Sequence, residues 1–254
     1  MTNIQAFILG VVQAITEFLP VSSSGHLVLF QKIFNLETPP IFFDVLVHIG
    51  TLLAIIFYLR KEIISLILNL KENRKLIFFL FLGSLPIALV GLSLKDYVEN
   101  IFNSLAMVGI SFLITSFILL STLLVKNSQK NISNMTWKDS LFVGLFQALA
   151  FLPGVSRSGS TISAGLFRKM DKESAFKFSF LLAIPAFAGA LALQLFDIEK
   201  VNLTFSAGLI GFLTSLFFGF FALRLLERAL LKGKIHLFGI YCFLLGLVII
   251  FVVH

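Results

Sequence analysis

Long, uninterrupted apolar runs are the feature that most constrains the fold of this chain. Six stretches are apolar enough to cross a bilayer as helices, which takes about 20 residues each. Only 13% of the residues are charged, against about 25% in a soluble domain. These features exclude a soluble globular enzyme, a disordered chain and a disulfide scaffold, and they predict an all-α polytopic membrane protein. The predicted spans are Ile41 to Leu59, Leu76 to Leu94, Leu105 to Val125, Phe176 to Phe196, Leu203 to Leu225 and Ile235 to Val253.

Two further apolar segments are too short to span a membrane and end in loops rich in serine and glycine. Such a loop is tolerated at membrane depth only where protein or water, rather than lipid, satisfies its backbone. We therefore predict two re-entrant helical hairpins, over 4–35 and 140–170, whose returning helices begin near His26 and Ser160. The first serine loop is Pro20-Val21-Ser22-Ser23-Ser24-Gly25, and the second serine loop is Pro153-Gly154-Val155-Ser156-Arg157-Ser158-Gly159.

The two hairpin segments match one another when the sequence is displaced by 134 residues, with seven identities in sixteen positions. This similarity predicts a tandem repeat, 1–125 and 139–254, in which each copy holds one hairpin and three spans within a single membrane domain. Because three is odd, the second copy starts on the opposite side of the membrane, so the repeat is inverted and the serine loops meet centrally. The matched pairs are Gly10 and Gly144, Gln13 and Gln147, Ala14 and Ala148, Val21 and Val155, Ser22 and Ser156, Ser24 and Ser158, and Gly25 and Gly159.

The distribution of basic residues predicts the orientation. Lysine and arginine collect in cytoplasmic loops, and here alternate loops are basic, so we expect both termini outside. The net charge of +7 has the same origin, and no basic run interleaved with aromatic residues indicates a nucleic acid partner. The basic loops carry Arg60, Lys61, Lys71, Arg74 and Lys75, then Lys126, Lys130 and Lys138, then Arg228, Lys232 and Lys234, whereas Lys95, Asp96, Glu99, Asp197, Glu199 and Lys200 stand in the loops between them.

Five ionisable residues lie in the predicted membrane region: Glu17, His26, Asp44, His48 and Arg157. Charged groups are costly there, so each is a functional-site hypothesis. The planar guanidinium of Arg157 suits phosphate oxygens, and a plain ion pair with Glu17 is the alternative. Asp44 and His48 are four residues apart and share a helical face. We expect Asp44 to support the site as a neighbour of its reactive groups.

Each serine loop opens onto a helix N-terminus, where backbone N–H groups favour an anion. Two such termini, one arginine and up to six hydroxyls describe a cradle for phosphate or pyrophosphate. A serine within reach of His26, itself oriented by Glu17, would supply a nucleophile and its base; direct attack by His26 on phosphorus is the alternative. A carboxylate beside a pyrophosphate also suggests Mg²⁺ or Ca²⁺, with Glu17 as the first candidate ligand.

At these loops the chain closely resembles the bacterial undecaprenyl-diphosphate phosphatase family, also called bacitracin resistance proteins. The resemblance runs from about Ile4 to the C-terminus. Its most specific strings are Gln13-Ala-Ile-Thr-Glu17-Phe-Leu-Pro-Val-Ser-Ser-Ser-Gly-His26 and Pro153-Gly-Val-Ser-Arg157-Ser-Gly-Ser-Thr161. The family has Glu or Gln at the position of Gln13, so this chain carries the neutral option.

The resemblance implies removal of the terminal phosphate from undecaprenyl diphosphate, which recycles the carrier lipid of cell-wall synthesis and confers bacitracin resistance. It also implies a divalent cation and a site that opens to the outer face of the bacterial plasma membrane. By position, Glu17, Ser23, His26 and Arg157 match the family's catalytic set, with Ser23 as the nucleophile and His26 as the fallback. The phosphate contacts so implied are Ser22, Ser24, Gly25, Ser156, Ser158, Gly159 and Thr161, and the supporting neighbours are Gln13, Asp44 and Gln147.

A polyprenyl-phosphate transporter or flippase is the main alternative, because inverted repeats with broken helices are the usual plan of transporters. Binding an anion does not need a histidine beside a serine, which argues against transport alone. A type-2 phosphatidic acid phosphatase is disfavoured because Ser163 stands where that family has histidine. An intramembrane serine protease would leave Arg157 without a role. The expected partners are a polyprenyl diphosphate and membrane lipids; a homodimer stays open.

Overall fold

The computed structural model describes residues 1–34, 41–93, 104–126, 128–196 and 204–253. Within these ranges the regular elements are all helices, and β-type pairing is limited to one bridge between Lys130 and Met170. The α-helices are α1 (Asn3–Phe18), α2 (Ser23–Ile33), α3 (Ile41–Tyr58), α4 (Arg60–Leu68), α5 (Leu70–Ser93), α6 (Leu105–Ser121), α7 (Trp137–Leu149), α8 (Arg157–Phe167), α9 (Lys172–Phe196), α10 (Phe205–Leu231) and α11 (His236–Val253). Short 3₁₀ turns cover Thr122–Leu124 and Ile132–Asn134.

Four of these helices are long and apolar enough to cross a membrane: α5, α6 with the 3₁₀ turn that follows it, α9 and α10. The pair α3 and α4 makes a fifth if it is counted as one span, although the chain bends by 73° between them. Helix α11 is apolar but shorter. The helical membrane class is therefore confirmed for the described residues, and the count of six spans stays a prediction.

Several helices extend beyond the predicted spans. Helix α5 starts at Leu70 rather than Leu76, α9 starts at Lys172 rather than Phe176, and α10 continues to Leu231. The added turns contain lysine, arginine and glutamate. These residues end the apolar run in the sequence, but the backbone hydrogen bonds of the helix continue through them.

The serine loops join α1 to α2 and α7 to α8. The returning helices begin at Ser23 and Arg157, earlier than the predicted starts near His26 and Ser160. The cause is capping: the hydroxyl of Ser156 accepts a hydrogen bond from the backbone N–H three residues on, and the equivalent serine of the first loop does the same. Each capping serine therefore starts its helix at the next residue.

Helices from the first half of the chain pack on helices from the second half. Helix α1 packs on α10, α7 on α5, α3 on α10, α9 on α5, and α6 on α11. Several crossings are glycine contacts, because a small residue lets two backbones approach closely. The facing glycine pairs are Gly10 and Gly211, Gly83 and Gly144, and Gly109 and Gly246.

Basic segments lie together at one end of the helices. Lys75 donates to the backbone carbonyl of Ser133 at 3.1 Å, which ties the start of α5 to the loop before α7. Fully buried Asp139 pairs with Lys130 at 3.0 Å and Arg168 at 2.7 Å. Burial alone would raise the pKa of this carboxyl, but hydrogen bonds from Thr136 and from the two cations hold the pKa at about 2.

The contrasting predicted outer loops, with Lys95, Asp96 and Glu99 and with Asp197, Glu199 and Lys200, lie outside the described residues. The charge contrast between the two ends of the helices therefore rests on the sequence for one end and on the described contacts for the other.

Candidate active site

Glu17, in the last turn of α1, lies at the centre of the candidate site, and its side chain is only 6% exposed. Its Oε2 accepts hydrogen bonds from the Ser23 hydroxyl at 2.6 Å and from the Gln13 amide at 3.0 Å. Its Oε1 accepts a hydrogen bond from Nη2 of Arg157 at 3.2 Å. The Nε2 of His48 lies 4.0 Å from Oε2. One carboxylate thus connects both serine loops.

Arg157 is the first residue of α8, and its guanidinium is packed between the carboxylate and two aromatic rings. The guanidinium carbon lies 4.4 Å from the ring centre of Phe187 and 5.5 Å from that of Phe180. Its Nε and Nη1 atoms are buried and have no hydrogen-bond partner within the described ranges. Buried donors without an acceptor are costly. These two nitrogens are therefore the strongest sign that an anion binds here.

The two serine loops share two side-chain hydrogen bonds, although the backbone of Ser22 has a φ of 67° and that of the equivalent Ser156 has a φ of −73°. In each, the first serine hydroxyl lies 3.3 Å from the hydroxyl two residues on. The same oxygen accepts a hydrogen bond from the backbone N–H of the following glycine, at 3.4 Å in the first loop and 3.1 Å in the second. The sequence identities between the hairpins therefore correspond to repeated hydrogen bonds. These residues are Ser22, Ser24 and Gly25, and Ser156, Ser158 and Gly159.

The two serine loops are in direct contact, as the sequence predicts. The backbone N–H of Gly154 donates to the hydroxyl of Ser24 at 3.4 Å. A methyl group added at Gly25 would lie 3.3 Å from the Cα of Gly154, and one added at Gly159 would lie 3.2 Å from the Cβ of Pro20. Glycine at these positions therefore permits the close approach that brings Arg157 to Glu17.

Ser22 has a φ of 67°, in the left-handed region where residues other than glycine are strained. Such a conformation costs about 1–3 kcal/mol and collects at functional sites, where the surrounding structure holds it in place. The turn at Ser22 starts α2 and leaves the next side chain, Ser23, hydrogen-bonded to Glu17.

The structure places His26 differently from the predicted chain of serine, histidine and carboxylate. Its Nδ1 lies 2.7 Å from the backbone carbonyl oxygen of Ser22, and its Nε2 lies 2.7 Å from the hydroxyl of Tyr241. The tautomer with hydrogen on Nδ1 satisfies both contacts, since it donates to Ser22 and accepts from Tyr241. Both ring nitrogens are thus engaged away from the nucleophile, and Ser23 bonds directly to Glu17 instead.

Tyr241 is the site neighbour that sequence reasoning missed. It lies on α11, in the second half of the chain, and its ring is nearly parallel to that of His26 at a centroid distance of 5.8 Å. A single aromatic residue within an apolar run gives no signal in the sequence, because aromatic side chains are common on helix faces that meet lipid or protein.

Thr161 and Gln147 are predicted site residues of the second hairpin whose polar atoms do not contact Glu17. The Thr161 hydroxyl donates to the backbone carbonyl of Arg157 at 2.8 Å and lies 2.6 Å from the Ser179 hydroxyl, so it is engaged within the protein. Gln147 is fully buried, and neither amide atom has a hydrogen-bond partner among the described residues. Their expected roles as phosphate contact and supporting neighbour stay predictions.

Asp44 reaches the site through its backbone. Its carbonyl oxygen accepts a hydrogen bond from Nδ1 of His48 at 2.7 Å, one helical turn away on α3. This bond fixes the ring so that the opposite nitrogen faces Glu17. His48 therefore lies beside the carboxylate at the centre of the candidate site.

These residues do not fit a resident divalent cation at Glu17. Both carboxylate oxygens already accept hydrogen bonds, and the Arg157 cation lies beside them. No cluster of three or more His, Cys, Asp or Glu side chains occurs in the part of the chain that the structure describes. Mg²⁺ and Ca²⁺ need about six oxygen ligands. The dependence on one of these ions stays a prediction, and most of the ligands would come from a diphosphate.

The chain is similar to proteins of one family. Residues 6–248 match the family model described as bacitracin resistance protein BacA. The undecaprenyl-diphosphatase of Carboxydothermus hydrogenoformans is 43% identical over 255 residues, which cover 98% of this chain and 97% of that protein. Undecaprenyl-diphosphatase 4 of Bacillus thuringiensis (strain Al Hakam) is 41% identical over 253 residues, with the same coverage. The undecaprenyl-diphosphatase of Desulfosudis oleivorans is 40% identical over 265 residues, with 97% of each chain covered.

Proposed function

Because the chain belongs to the bacitracin resistance protein BacA family, we propose that it is an undecaprenyl-diphosphatase of the bacterial plasma membrane. It hydrolyses undecaprenyl diphosphate to undecaprenyl phosphate and phosphate, and so recycles the carrier lipid of cell-wall synthesis. The main structural support for this reaction is the environment of buried Arg157. Two of its nitrogens have no partner among the described residues, and the guanidinium lies beside the Glu17 carboxylate, which accepts a hydrogen bond from Ser23.

In this proposal Ser23 is the nucleophile and Glu17 is its base. As the Ser23 oxygen attacks the terminal phosphorus, Glu17 Oε2 accepts its proton across the 2.6 Å hydrogen bond. The bond from that phosphorus to the bridging oxygen breaks, and undecaprenyl phosphate leaves as its anion. Water then attacks the phosphoserine, Glu17 returns its proton to the serine oxygen, and phosphate is released with both hydrogens of the water.

Arg157 holds the terminal phosphate during both steps. Its free Nε and Nη1 can each donate a hydrogen bond to a phosphate oxygen. The N-terminus of α8, the helix that begins at Arg157, can add backbone N–H groups. These donors stabilise the negative charge that develops on the oxygens in the transition state.

The proposed architecture has six spans, α3, α5, α6, α9, α10 and α11, and two re-entrant hairpins, α1–α2 and α7–α8. Helix packing supports an inverted repeat, because exchanging the halves turns the main contacts between them into one another or into themselves. The contact of α1 with α10 becomes that of α7 with α5, and the contact of α3 with α10 becomes that of α9 with α5. The contact of α6 with α11 maps onto itself.

The proposed orientation places the basic end of the helices in the cytoplasm and the site towards the outer face. The hydrogen bond from Lys75 to Ser133 and the ion pairs of Asp139 support a common basic end. Transport alone is not favoured, because carrying an anion does not require a serine hydrogen-bonded to a buried carboxylate.

The test is phosphate release by the purified protein in detergent from a polyprenyl diphosphate, with and without EDTA. Wild type should release phosphate, and Arg157→Ala should lose about 100-fold or more of kcat/KM. Arg224→Ala removes an exposed arginine of α10 and should keep normal activity. Absence of release from a folded, monodisperse wild type would refute the proposal and direct attention to lipid movement in vesicles.

A further inference from the structure

An apolar groove of about 460 Å³ lies between α1, α2 and α11. Its walls include Val12 and Ile15 from α1 and Leu237 and Phe238 from α11. Ile15 is 38% exposed and Leu237 is 49% exposed, so part of each wall faces the surroundings of the helices. The volume is within the range of small-molecule sites, about 300–1,000 Å³.

One part of this groove is polar, and its residues neighbour those of the candidate active site along α1 and α2. His26 and Tyr241 line it, joined by their 2.7 Å hydrogen bond. Thr16 also lines it and immediately precedes Glu17 in α1. His26 lies on α2 one helical turn after Ser23, so the same two helices carry the groove wall and the reactive pair.

Resting on the proposed function, we infer that this groove binds the first isoprenoid units of the lipid substrate, with the diphosphate placed towards Ser23 and Arg157. A branched hydrocarbon attached directly to a diphosphate needs an apolar surface that begins beside the phosphate site. This groove meets that requirement because it combines aliphatic and aromatic walls with a polar part that includes Thr16 and His26, from the motif that carries Ser23.

A second apolar groove, of about 410 Å³, lies between α3 and α10 and provides a matched control. Its lining includes Leu46, Leu209 and Phe212, and no residue of either serine loop or of 13–26. Leu209 is 44% exposed, close to the 49% of Leu237. Replacing either leucine by tryptophan therefore adds similar bulk at similar exposure in two different grooves.

The experiment compares farnesyl diphosphate, with three isoprenoid units, and isopentenyl diphosphate, with one unit, as substrates of the purified protein. In Leu237→Trp the KM for farnesyl diphosphate should rise by about tenfold or more while kcat stays within about twofold. The kcat/KM for isopentenyl diphosphate should stay near wild type, because its short chain leaves most of the groove empty. Ile15→Trp, on the opposite wall, should act the same way, and Leu209→Trp should change neither substrate.

Three possible results distinguish a failure of the groove assignment from a failure of the proposed function. Equal kinetics of wild type and both groove variants on farnesyl diphosphate would overturn the inference alone. If instead only Leu209→Trp raised the KM for farnesyl diphosphate, the inference would also be overturned, and the isoprenoid units would be assigned to the second groove. A wild type that hydrolyses neither diphosphate would refute the proposed function, and the groove assignment would fall with it.

Discussion

In the first serine loop the residue after the capping serine is Ser23, and in the second serine loop it is Arg157. Around these two positions the hydrogen bonds are repeated almost atom for atom. At the same displacement, Glu17 corresponds to Phe151. In the proposed mechanism the first copy therefore supplies the nucleophile and the carboxylate, and the second supplies the cation. The same capping hydrogen bonds thus occur in both copies, and in the proposed mechanism single differences at equivalent positions divide the work of binding and attack.

The two glutamines at equivalent positions of the hairpins differ in their hydrogen bonds. Gln13 donates its amide to Glu17 at 3.0 Å. Gln147 has Phe151 where a carboxylate would stand, and both of its amide atoms are buried without a partner among the described residues. A buried amide that lacks partners destabilises the folded state. The second hairpin thus keeps the residue but not the interaction.

The largest expected effect is at the nucleophile. Ser23→Ala should reduce phosphate release by about 10³-fold or more, because it removes the hydroxyl that donates to Glu17 and attacks phosphorus in the proposed mechanism. Ser24→Ala, one residue on in the same loop, should lose less than about tenfold. The measurement is kcat on a polyprenyl diphosphate for folded, monodisperse samples. Turnover retained in Ser23→Ala would transfer the nucleophile to His26.

The next effect is at the base. Glu17→Gln keeps the size of the side chain but cannot accept the serine proton, so kcat should fall by about 10²–10⁴-fold. The change also removes the charge that pairs with Arg157. Glu173→Gln, an exposed acid on α9 outside the site, is the control and should retain activity. An unchanged rate in Glu17→Gln would remove this carboxylate from the reaction.

A third pair of variants sharpens the contrast between the copies. Gln13→Leu should lower kcat by about tenfold, because the Glu17 carboxylate loses a hydrogen bond. Gln147→Leu should leave kcat unchanged and keep or raise thermal stability, because it removes two unpartnered buried atoms. Thermal unfolding in detergent and phosphate release together measure both. A loss of activity in Gln147→Leu equal to that in Gln13→Leu would contradict the division of work.

The smallest expected effect is at Tyr241. Tyr241→Phe removes the hydroxyl that bonds Nε2 of His26 but keeps the ring, so kcat should change by less than about tenfold. His26→Ala should have a larger effect than Tyr241→Phe, because it also removes the bond to the Ser22 carbonyl. Equal and near-complete loss in both would give the tyrosine hydroxyl a direct part in the chemistry.

Most of the helical plan could be predicted because a long apolar run has few alternatives in a membrane. The contact between the serine loops also followed from sequence, since their matched residues indicated a repeat. The bend of 73° between α3 and α4 could not be predicted, because no proline or glycine marks it.

Within the site, the gathering of Glu17, Ser23 and Arg157 could be predicted because the three residues belong to the two loops that meet. The direction of His26 could not, since it depends on the rotation of α2 and on Tyr241, which is 215 residues away in the chain. Contacts that depend on the rotation of a helix, or on a segment far away in the chain, produce no periodic or local pattern in the sequence.

The most direct test of the account is to identify the phosphorylated residue. The protein is mixed with polyprenyl diphosphate carrying ³²P in its terminal phosphate, quenched within one turnover in parallel acid and alkaline samples, and digested for mass spectrometry. The account predicts an acid-stable phosphoserine at Ser23, absent from Ser23→Ala and strongly reduced in Arg157→Ala. An acid-labile, alkali-stable label on His26, or phosphate release at the wild-type rate without any labelled protein, would contradict it.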